Sequence, residues 1–130
     1  SIISIAEKKN INICVESDLA PTAFTNLIDL INSKNVTINY DIGNSASLGY
    51  DPEEEFNAYG EKITDLHIKD RLLGKGPVPL GKGNADIPKI FKLLSKINYQ
   101  GIVIFQAFRD DNGIEIFKEQ FGWFIENIKL

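Results

Sequence analysis

The chain contains four short segments in which hydrophobic and polar residues alternate, as is typical of β-strands. The clearest is 63–70, which also holds the only histidine of the sequence. With a period of two, its residues divide into an apolar face and an ionisable face. The apolar face carries Thr64, Leu66 and Ile68, and the ionisable face carries Asp65, His67 and Lys69. The alternation predicts strands at 11–16, 36–41, 63–70 and 101–108.

The segments between these strands are predicted to be helical, because apolar residues recur in them at every third or fourth position. Asp51 followed by Pro52 is a strong helix start, and Asp86 is predicted to cap a later helix. The segment Gly43-Asn44-Ser45 is predicted to open a loop, and the glycine-rich residues 71–85 form the longest irregular segment. The predicted helices are the end of one at 1–10, then 21–33, 51–60, one that follows Asp86, and 113–128.

Strands that alternate with helices indicate parallel pairing through right-handed crossovers. Four such units are half of an eight-unit barrel, whose usual length is about 250 residues. An open four-stranded sheet is the alternative, but it would leave two bare edges and an uncovered charged face. We therefore predict an α/β fold, the (β/α)4 half of a TIM barrel with outer helices, as a single domain over 1–130. The chain starts in the end of a helix, as a native domain can and as a fragment cut before its fifth strand would; we expect the carboxyl-terminal fragment of a longer barrel.

Each predicted strand has a polar residue near its carboxyl end, and these residues are Glu16, Asp41, His67 and Gln106. Parallel strands place such ends on one rim, where barrel enzymes keep their active sites. Two carboxylates, one imidazole and one amide oxygen that converge there would suit a divalent metal ion. Taken singly, each polar residue also fits a helix cap or a hydrogen bond to a loop.

Four sequence motifs resemble those of a known family. They are Glu16 in Val-Glu-Ser, Asp41-Ile-Gly-Asn44, His67-Ile-Lys-Asp70, and Pro79-Leu-Gly-Lys-Gly83 continuing to Asp86. Together they resemble the sugar phosphate isomerase/epimerase family, the xylose isomerase-like TIM barrels, which also include proteins of the endonuclease IV type. The resemblance covers nearly the whole chain but only the carboxyl half of a family member. Its third and fourth motifs are weak alone and fairly specific together.

The resemblance implies a divalent-metal-dependent isomerase of a sugar or sugar phosphate, of the aldose–ketose or epimerase type, that works through an enediolate. Glu16, Asp41 and His67 match positions that bind Mn²⁺, Mg²⁺, Co²⁺ or Zn²⁺, and Gln106 is expected to be a further ligand. Gln106 stands where sugar epimerases carry a second glutamate, and an amide cannot accept a proton. The candidate catalytic residues are Glu16, as the general base, and Gln106. A single base fits an aldose–ketose isomerisation better than an epimerisation.

The candidate substrate-binding residues are Asn44, Lys69, Arg71 and Lys82. Arg71 and Lys82 lie with Lys75 in the glycine-rich segment, which is expected to close over the site and hold a substrate phosphate. A solvated loop with incidental cations fits this segment equally well.

The remaining charged residues of the third strand have simpler expected roles. Lys69 shares the face of His67, so it is expected to reach the substrate or to form a salt bridge to Asp65 or Asp41. Asp70 is expected to accept hydrogen bonds from backbone amides of the glycine-rich segment.

Composition narrows the function classes. The 130 residues carry a net charge of −4, which does not favour a nucleic-acid or acidic membrane surface. The single cysteine excludes an intrachain disulfide and fits a reducing compartment. No apolar run approaches the roughly 20 residues of a membrane span, and no signal-peptide pattern is visible, so we expect a cytoplasmic protein.

Two other functions are compatible with the predicted fold. A nucleic-acid repair enzyme of the same superfamily would need several histidines and a basic face, whereas this chain has one histidine. The other is a half-barrel without catalysis that associates through its exposed edges. We expect those edges to pair with a second copy, which makes a homodimer, or with the missing amino-terminal half-barrel.

Overall fold

A computed structural model describes residues 1–128 of the 130, and its centre is a sheet of four parallel strands in the order β1-β2-β3-β6. A separate antiparallel pair, β4 and β5, lies between β3 and the fifth helix in the chain. The strands are β1 (Ile13–Val15), β2 (Val36–Asp41), β3 (Ile63–Ile68), β4 (Asp70–Arg71), β5 (Pro77–Val78) and β6 (Ile102–Phe105). The helices are α1 (Ile2–Lys9), α2 (Pro21–Ile31), α3 (Ile42–Leu48), α4 (Pro52–Tyr59), α5 (Ile87–Lys96) and α6 (Ile114–Asn127), with a 3-10 turn at Gly60–Lys62.

The predicted half of a TIM barrel is confirmed: the strands pair in parallel, and helices connect them. The predicted strands at 11–16, 63–70 and 101–108 are shorter in the structure, because pairing ends before the polar flanks. Residues 129 and 130, the end of the predicted single domain, lie outside the described residues. Within residues 1–128, no helix combines the length and the apolar character that crossing a membrane requires.

The hydrophobic core lies between the helices and one face of the sheet. The fully buried residues Ile38, Leu66 and Ile68 of β2 and β3 belong to one hydrophobic cluster with Ile87 and Ile90 of α5. Burial of each such side chain contributes about 1.5–3 kcal/mol to folding. The opposite face of the sheet is therefore left for polar residues, and this face forms the inner surface of the half-barrel.

The prediction that Thr64 shares the apolar face of β3 is wrong. Its hydroxyl lies 2.6 Å from the hydroxyl of Thr37 on the inner face. The cause is a register shift: Ile38 pairs with Ile63, but the next residue of β2 pairs with Asp65, so β3 carries one extra residue here. Beyond the shift the strands realign, and Asp41 comes to lie opposite His67.

The predicted loop at Gly43-Asn44-Ser45 is instead the body of helix α3. Asp41 caps this helix, because its Oδ1 accepts a hydrogen bond from the backbone N–H of Asn44 at 2.8 Å. Gly49 ends it with a φ of 76°, which suits glycine. Asn, Ser and Gly are unfavourable in helix interiors, so the composition of residues 42–48 did not predict a helix. The available signals were the two capping residues, Asp41 and Gly49.

The glycine-rich segment is held in place by Asp70, as predicted for that residue. The Asp70 carboxylate is fully buried and accepts hydrogen bonds from the backbone N–H groups of Gly81 and Gly83, both at 2.9 Å, and of Ala85 at 3.0 Å. Gln120 of α6 accepts a further hydrogen bond from the N–H of Leu80 at 3.3 Å. Residues 80–85 are therefore anchored on two sides, which disfavours their closing over the site as a lid.

Candidate active site

Three of the four predicted rim residues meet at the carboxyl ends of β1, β2 and β3. Glu16 follows β1, Asp41 ends β2, and His67 pairs with Asp41 in the register of β3. One potential ligand atom from each of the three lies within 4.8 Å of the others. His67 Nδ1 is 3.6 Å from Glu16 Oε2 and 3.8 Å from Asp41 Oδ2.

These three side chains differ in their access to solvent. The side chain of Asp41 is 1% exposed, that of His67 is 14% exposed, and that of Glu16 is 40% exposed. Because Asp41 Oδ1 caps α3, Oδ2 is the oxygen that faces His67. Asp41 thus forms the floor of the site, and Glu16 is the carboxylate that a solute reaches first.

Hydrogen bonds from neighbouring elements orient Glu16. Asn44 of α3 donates from Nδ2 to Glu16 Oε1 at 2.8 Å. Arg71 donates from Nη1 to Asn44 Oδ1 at 2.8 Å, and from Nε to the carbonyl of Lys75 at 3.0 Å. The structure therefore brings Asn44 and Arg71, two of the predicted substrate-binding residues, to the rim beside Glu16.

Lys69 connects Gln106 to the three residues on the rim. Its ammonium group lies 3.3 Å from Asp41 Oδ2 and 3.2 Å from Gln106 Oε1, so Asp41 is its salt-bridge partner. Gln106 is the first residue after β6, and its N–H donates to the carbonyl of Ile68 at 3.0 Å. Gly43 makes room for this arrangement, since a Cβ atom there would come within 2.7 Å of Lys69 Cγ.

Lys82, the remaining predicted substrate-binding residue, is not brought to this group. It is exposed in the anchored part of the glycine-rich segment, where its backbone N–H donates to the carbonyl of Pro79 at 3.0 Å. Within the part of the chain that the structure describes, its side chain forms neither an ion pair nor a hydrogen bond.

Asn39 is a site residue that the sequence analysis missed. Its Nδ2 donates to Glu16 Oε2 at 3.1 Å and lies 3.2 Å from His67 Nε2. Its Oδ1 is buried and has no hydrogen-bond partner among residues 1–128. The available signal was position, because Asn39 lies two residues before Asp41 and therefore on the same face of β2.

The donor set of the site fits a divalent metal ion. Carboxylates and imidazoles are ligands that Mn²⁺, Co²⁺ and Zn²⁺ share, and the structure brings together two carboxylates and one imidazole at the carboxyl ends of three strands. Asn39 and Asn44 each donate to one oxygen of Glu16, and such outer hydrogen bonds commonly orient metal ligands. The buried Oδ1 of Asn39, which has no hydrogen-bond partner in the described part of the chain, is a further oxygen beside the group.

Comparisons with known proteins agree with this architecture. The sequence profile of the xylose isomerase-like TIM barrels matches residues 1–127. A protein of Haemophilus influenzae, provisionally named L-ribulose-5-phosphate 3-epimerase SgbU, is 34% identical over 90 residues, which are 64% of this chain and 32% of that protein.

Solved structures show the same fold. A xylose isomerase domain protein from Planctomyces limnophilus superposes with a TM-score of 0.81 at 18% identity, over 96% of this chain and 48% of that one. The IOLI protein, solved with a bound zinc atom, superposes with a TM-score of 0.64 at 20% identity, over 82% of this chain and 44% of that one. The chain therefore spans about half or less of the length of the proteins that it matches.

Proposed function

The chain belongs to the xylose isomerase-like TIM barrel family, and from this premise we propose that it supplies the metal site of an isomerase that acts on a sugar or sugar phosphate. The observation that carries the proposal is the convergence of Glu16, Asp41 and His67 within 4.8 Å on the barrel rim. The zinc atom of the IOLI protein and the epimerase name of the Haemophilus influenzae relative support it.

The proposed reaction is proton transfer at a carbon next to a substrate carbonyl, through an enediolate. A divalent ion, when bound, would supply a Lewis acid that stabilises negative charge on substrate oxygens. Glu16 is the proposed general base, because it is the most exposed of the three rim residues and Asn39 and Asn44 fix both of its oxygens.

Gln106 favours isomerisation with one base over epimerisation. Its amide oxygen lies against the ammonium of Lys69 and has no proton to exchange. Epimerisation by direct exchange needs an acid or base on each face of the carbon, and Glu16 serves one face only. We propose that Gln106 and Lys69 hold substrate oxygens, with Asn44 and Arg71 beside them. Lys82 is not part of this proposal, since no contact connects its side chain to the rim.

Metal binding tests the proposal directly. Titration of the metal-free protein with Mn²⁺, followed by calorimetry, should show one bound ion per chain. Asp41→Asn should weaken binding by more than about 10-fold, because the buried Oδ2 contributes charge that an amide lacks. Glu53→Gln is the matched control, since it removes an exposed carboxylate of α4 whose ion-pair partner is Lys89, at 3.7 Å, and not a rim residue.

Two results would contradict the proposed site. One is the absence of Mn²⁺ binding at millimolar concentration. The other is equal affinity in the wild-type protein, Asp41→Asn and Glu53→Gln. Solvent deuterium incorporated into aldose and ketose sugars, with and without a phosphate group, would then identify the substrate class for a protein that binds the ion.

A second candidate, a self-associating half-barrel, is favoured by the open sheet edges. β1 and β6 each have one strand neighbour, and Ile102 and Ile104 of β6 are 64% and 41% exposed. In a dimer whose two-fold axis runs along the barrel, β6 of each copy would pair in parallel with β1 of the other. These two pairings would close the two sheets into one barrel of eight strands. We propose this homodimer as the state of the isolated chain, because it pairs both edges at once.

Light scattering should therefore give a mass of about 29 kDa, twice the 14.5 kDa of one chain. Ile102→Lys, which places a charge on the exposed edge strand, should shift the protein towards the monomer. A stable wild-type monomer at micromolar concentration would be evidence against the dimer. It would leave the proposal for the metal site unaffected.

A further inference from the structure

A buried carboxylate lies behind β2, on the helix side of the sheet. Glu55 of α4 is 2% exposed, and three hydroxyl groups donate hydrogen bonds to it. Tyr40 donates to Oε2 at 2.7 Å, Tyr59 donates to Oε1 at 2.8 Å, and Ser45 donates to Oε2. We call these four residues the Glu55 cluster.

Two of the three donors adjoin residues of the active site in the chain. Tyr40 immediately precedes Asp41, and Ser45 immediately follows Asn44. Alternation along β2 sends Tyr40 to the helix side and Asp41 to the inner face. Glu55 therefore holds both ends of residues 41–44, the segment that provides the floor of the site and a hydrogen bond to Glu16.

A small cavity separates the Glu55 cluster from the site. Its volume is about 20 Å³, which is room for one water molecule. Glu16, Asp41 and Asn44 line it together with Ser45 and Glu55. Residues of both groups thus line one cavity, and a displacement of Ser45 would act directly on Asn44, its neighbour in the chain.

Glu55 is an unusual residue for a position with a purely structural role. Burial raises its pKa, because removal from water disfavours the charged form, and hydrogen bonds from Ser45, Tyr40 and Tyr59 oppose that shift. A hydrophobic residue at such a position commonly gives equal or greater stability than a buried polar group does. Unlike a hydrophobic side chain, the carboxylate fixes the direction of each hydroxyl group that donates a hydrogen bond to it.

We propose that Glu55 is a positioning residue of the metal site. Through Tyr40 and Ser45 it sets the orientation of Asp41 Oδ2 and Asn44 Nδ2, and thereby the affinity of the rim for a divalent ion. This inference rests on the proposed metal site. Tyr59 differs from the other two donors, since it lies on the same helix as Glu55 and its one side-chain hydrogen bond among residues 1–128 is to Glu55.

Mn²⁺ affinity and thermal stability, measured together, test the inference. Glu55→Gln keeps the shape of the side chain, and Ser45→Ala removes only the donor next to Asn44. Each should weaken Mn²⁺ binding by about 10-fold, the lower end of what outer-shell substitutions do. Tyr59→Phe is the matched control: it removes a hydroxyl from the same cluster and should lower Tm while Mn²⁺ affinity stays at the wild-type value.

The outcomes separate this inference from the proposed function. If the wild-type protein binds Mn²⁺ and Ser45→Ala and Glu55→Gln bind it equally well, the positioning role is wrong and the metal site stands. The positioning role is also wrong if Tyr59→Phe weakens Mn²⁺ binding as much as Ser45→Ala does, because the loss of affinity would then reflect a general loss of stability. If the wild-type protein binds no Mn²⁺, both are wrong. If Glu55→Gln does not fold, the Mn²⁺ affinity of Ser45→Ala alone tests the positioning role.

Discussion

Asp70→Ala should lower the free energy of unfolding by about 3–5 kcal/mol, because three backbone donors lose their acceptor at once. The carboxylate is fully buried and binds the N–H groups of Gly81, Gly83 and Ala85. The carboxylate packs closely against this segment, since a Cβ atom on Gly83 would lie 2.1 Å from Asp70 Oδ1. Urea unfolding followed by circular dichroism measures the change.

Asp86→Ala is the matched control for this substitution. Asp86 also accepts a hydrogen bond from a backbone N–H, that of Lys89 at 3.0 Å, but it is exposed and caps only α5. Loss of such a cap costs about 1 kcal/mol. If Asp70→Ala were no more destabilising than Asp86→Ala, the glycine-rich segment would not depend on Asp70 for its structure.

Glu16→Gln should reduce turnover by about 10²- to 10⁴-fold and leave the metal bound. The amide keeps an oxygen that can bind a hard cation, but it cannot accept the proton that the proposed reaction transfers. Rates on the sugar identified by deuterium incorporation, measured beside Mn²⁺ affinity, separate the two roles of this residue. The expected result is a fall in turnover at saturating Mn²⁺ that is much larger than the fall in Mn²⁺ affinity.

Glu53→Gln serves again as the control, because it changes an exposed carboxylate on α4 and should leave both turnover and affinity at wild-type values. Turnover retained in Glu16→Gln would reject Glu16 as the base. The general base would then be another group on the rim. Turnover that falls only as far as the loss of bound metal explains would limit Glu16 to its role as a metal ligand.

The predictions that succeeded concern features encoded by neighbouring residues. Alternation over 36–41 predicted β2 with its bounds, and Asp51 and Asp86 marked the starts of α4 and α5. The meeting of Glu16 with Asp41 follows from the same logic, because the carboxyl ends of parallel strands lie on one rim. The roles given to these rim residues stay predictions until metal binding is measured.

The features that sequence analysis missed depend on distant partners. Thr64 turned to the inner face because the pairing of β3 with β2 shifts by one residue, and nothing within 63–70 indicates that shift. Asn39 acquires its place through Glu16, which follows β1, and His67 of β3. Glu55 is a charged residue near the start of the predicted helix 51–60, so its burial was not predicted from the sequence. Three hydroxyl donors account for that burial.

By itself, the sequence determined the order of strands and helices, the half-barrel and the polar rim, because hydrophobic periodicity is a local property of the chain. The tertiary structure alone decided which polar groups touch: Lys69 with Asp41 and Gln106, Arg71 with Asn44, and Glu55 with Tyr40 and Ser45. Those contacts join residues that packing brings together, and hydrogen bonds form over about 3 Å in space whatever the separation along the chain.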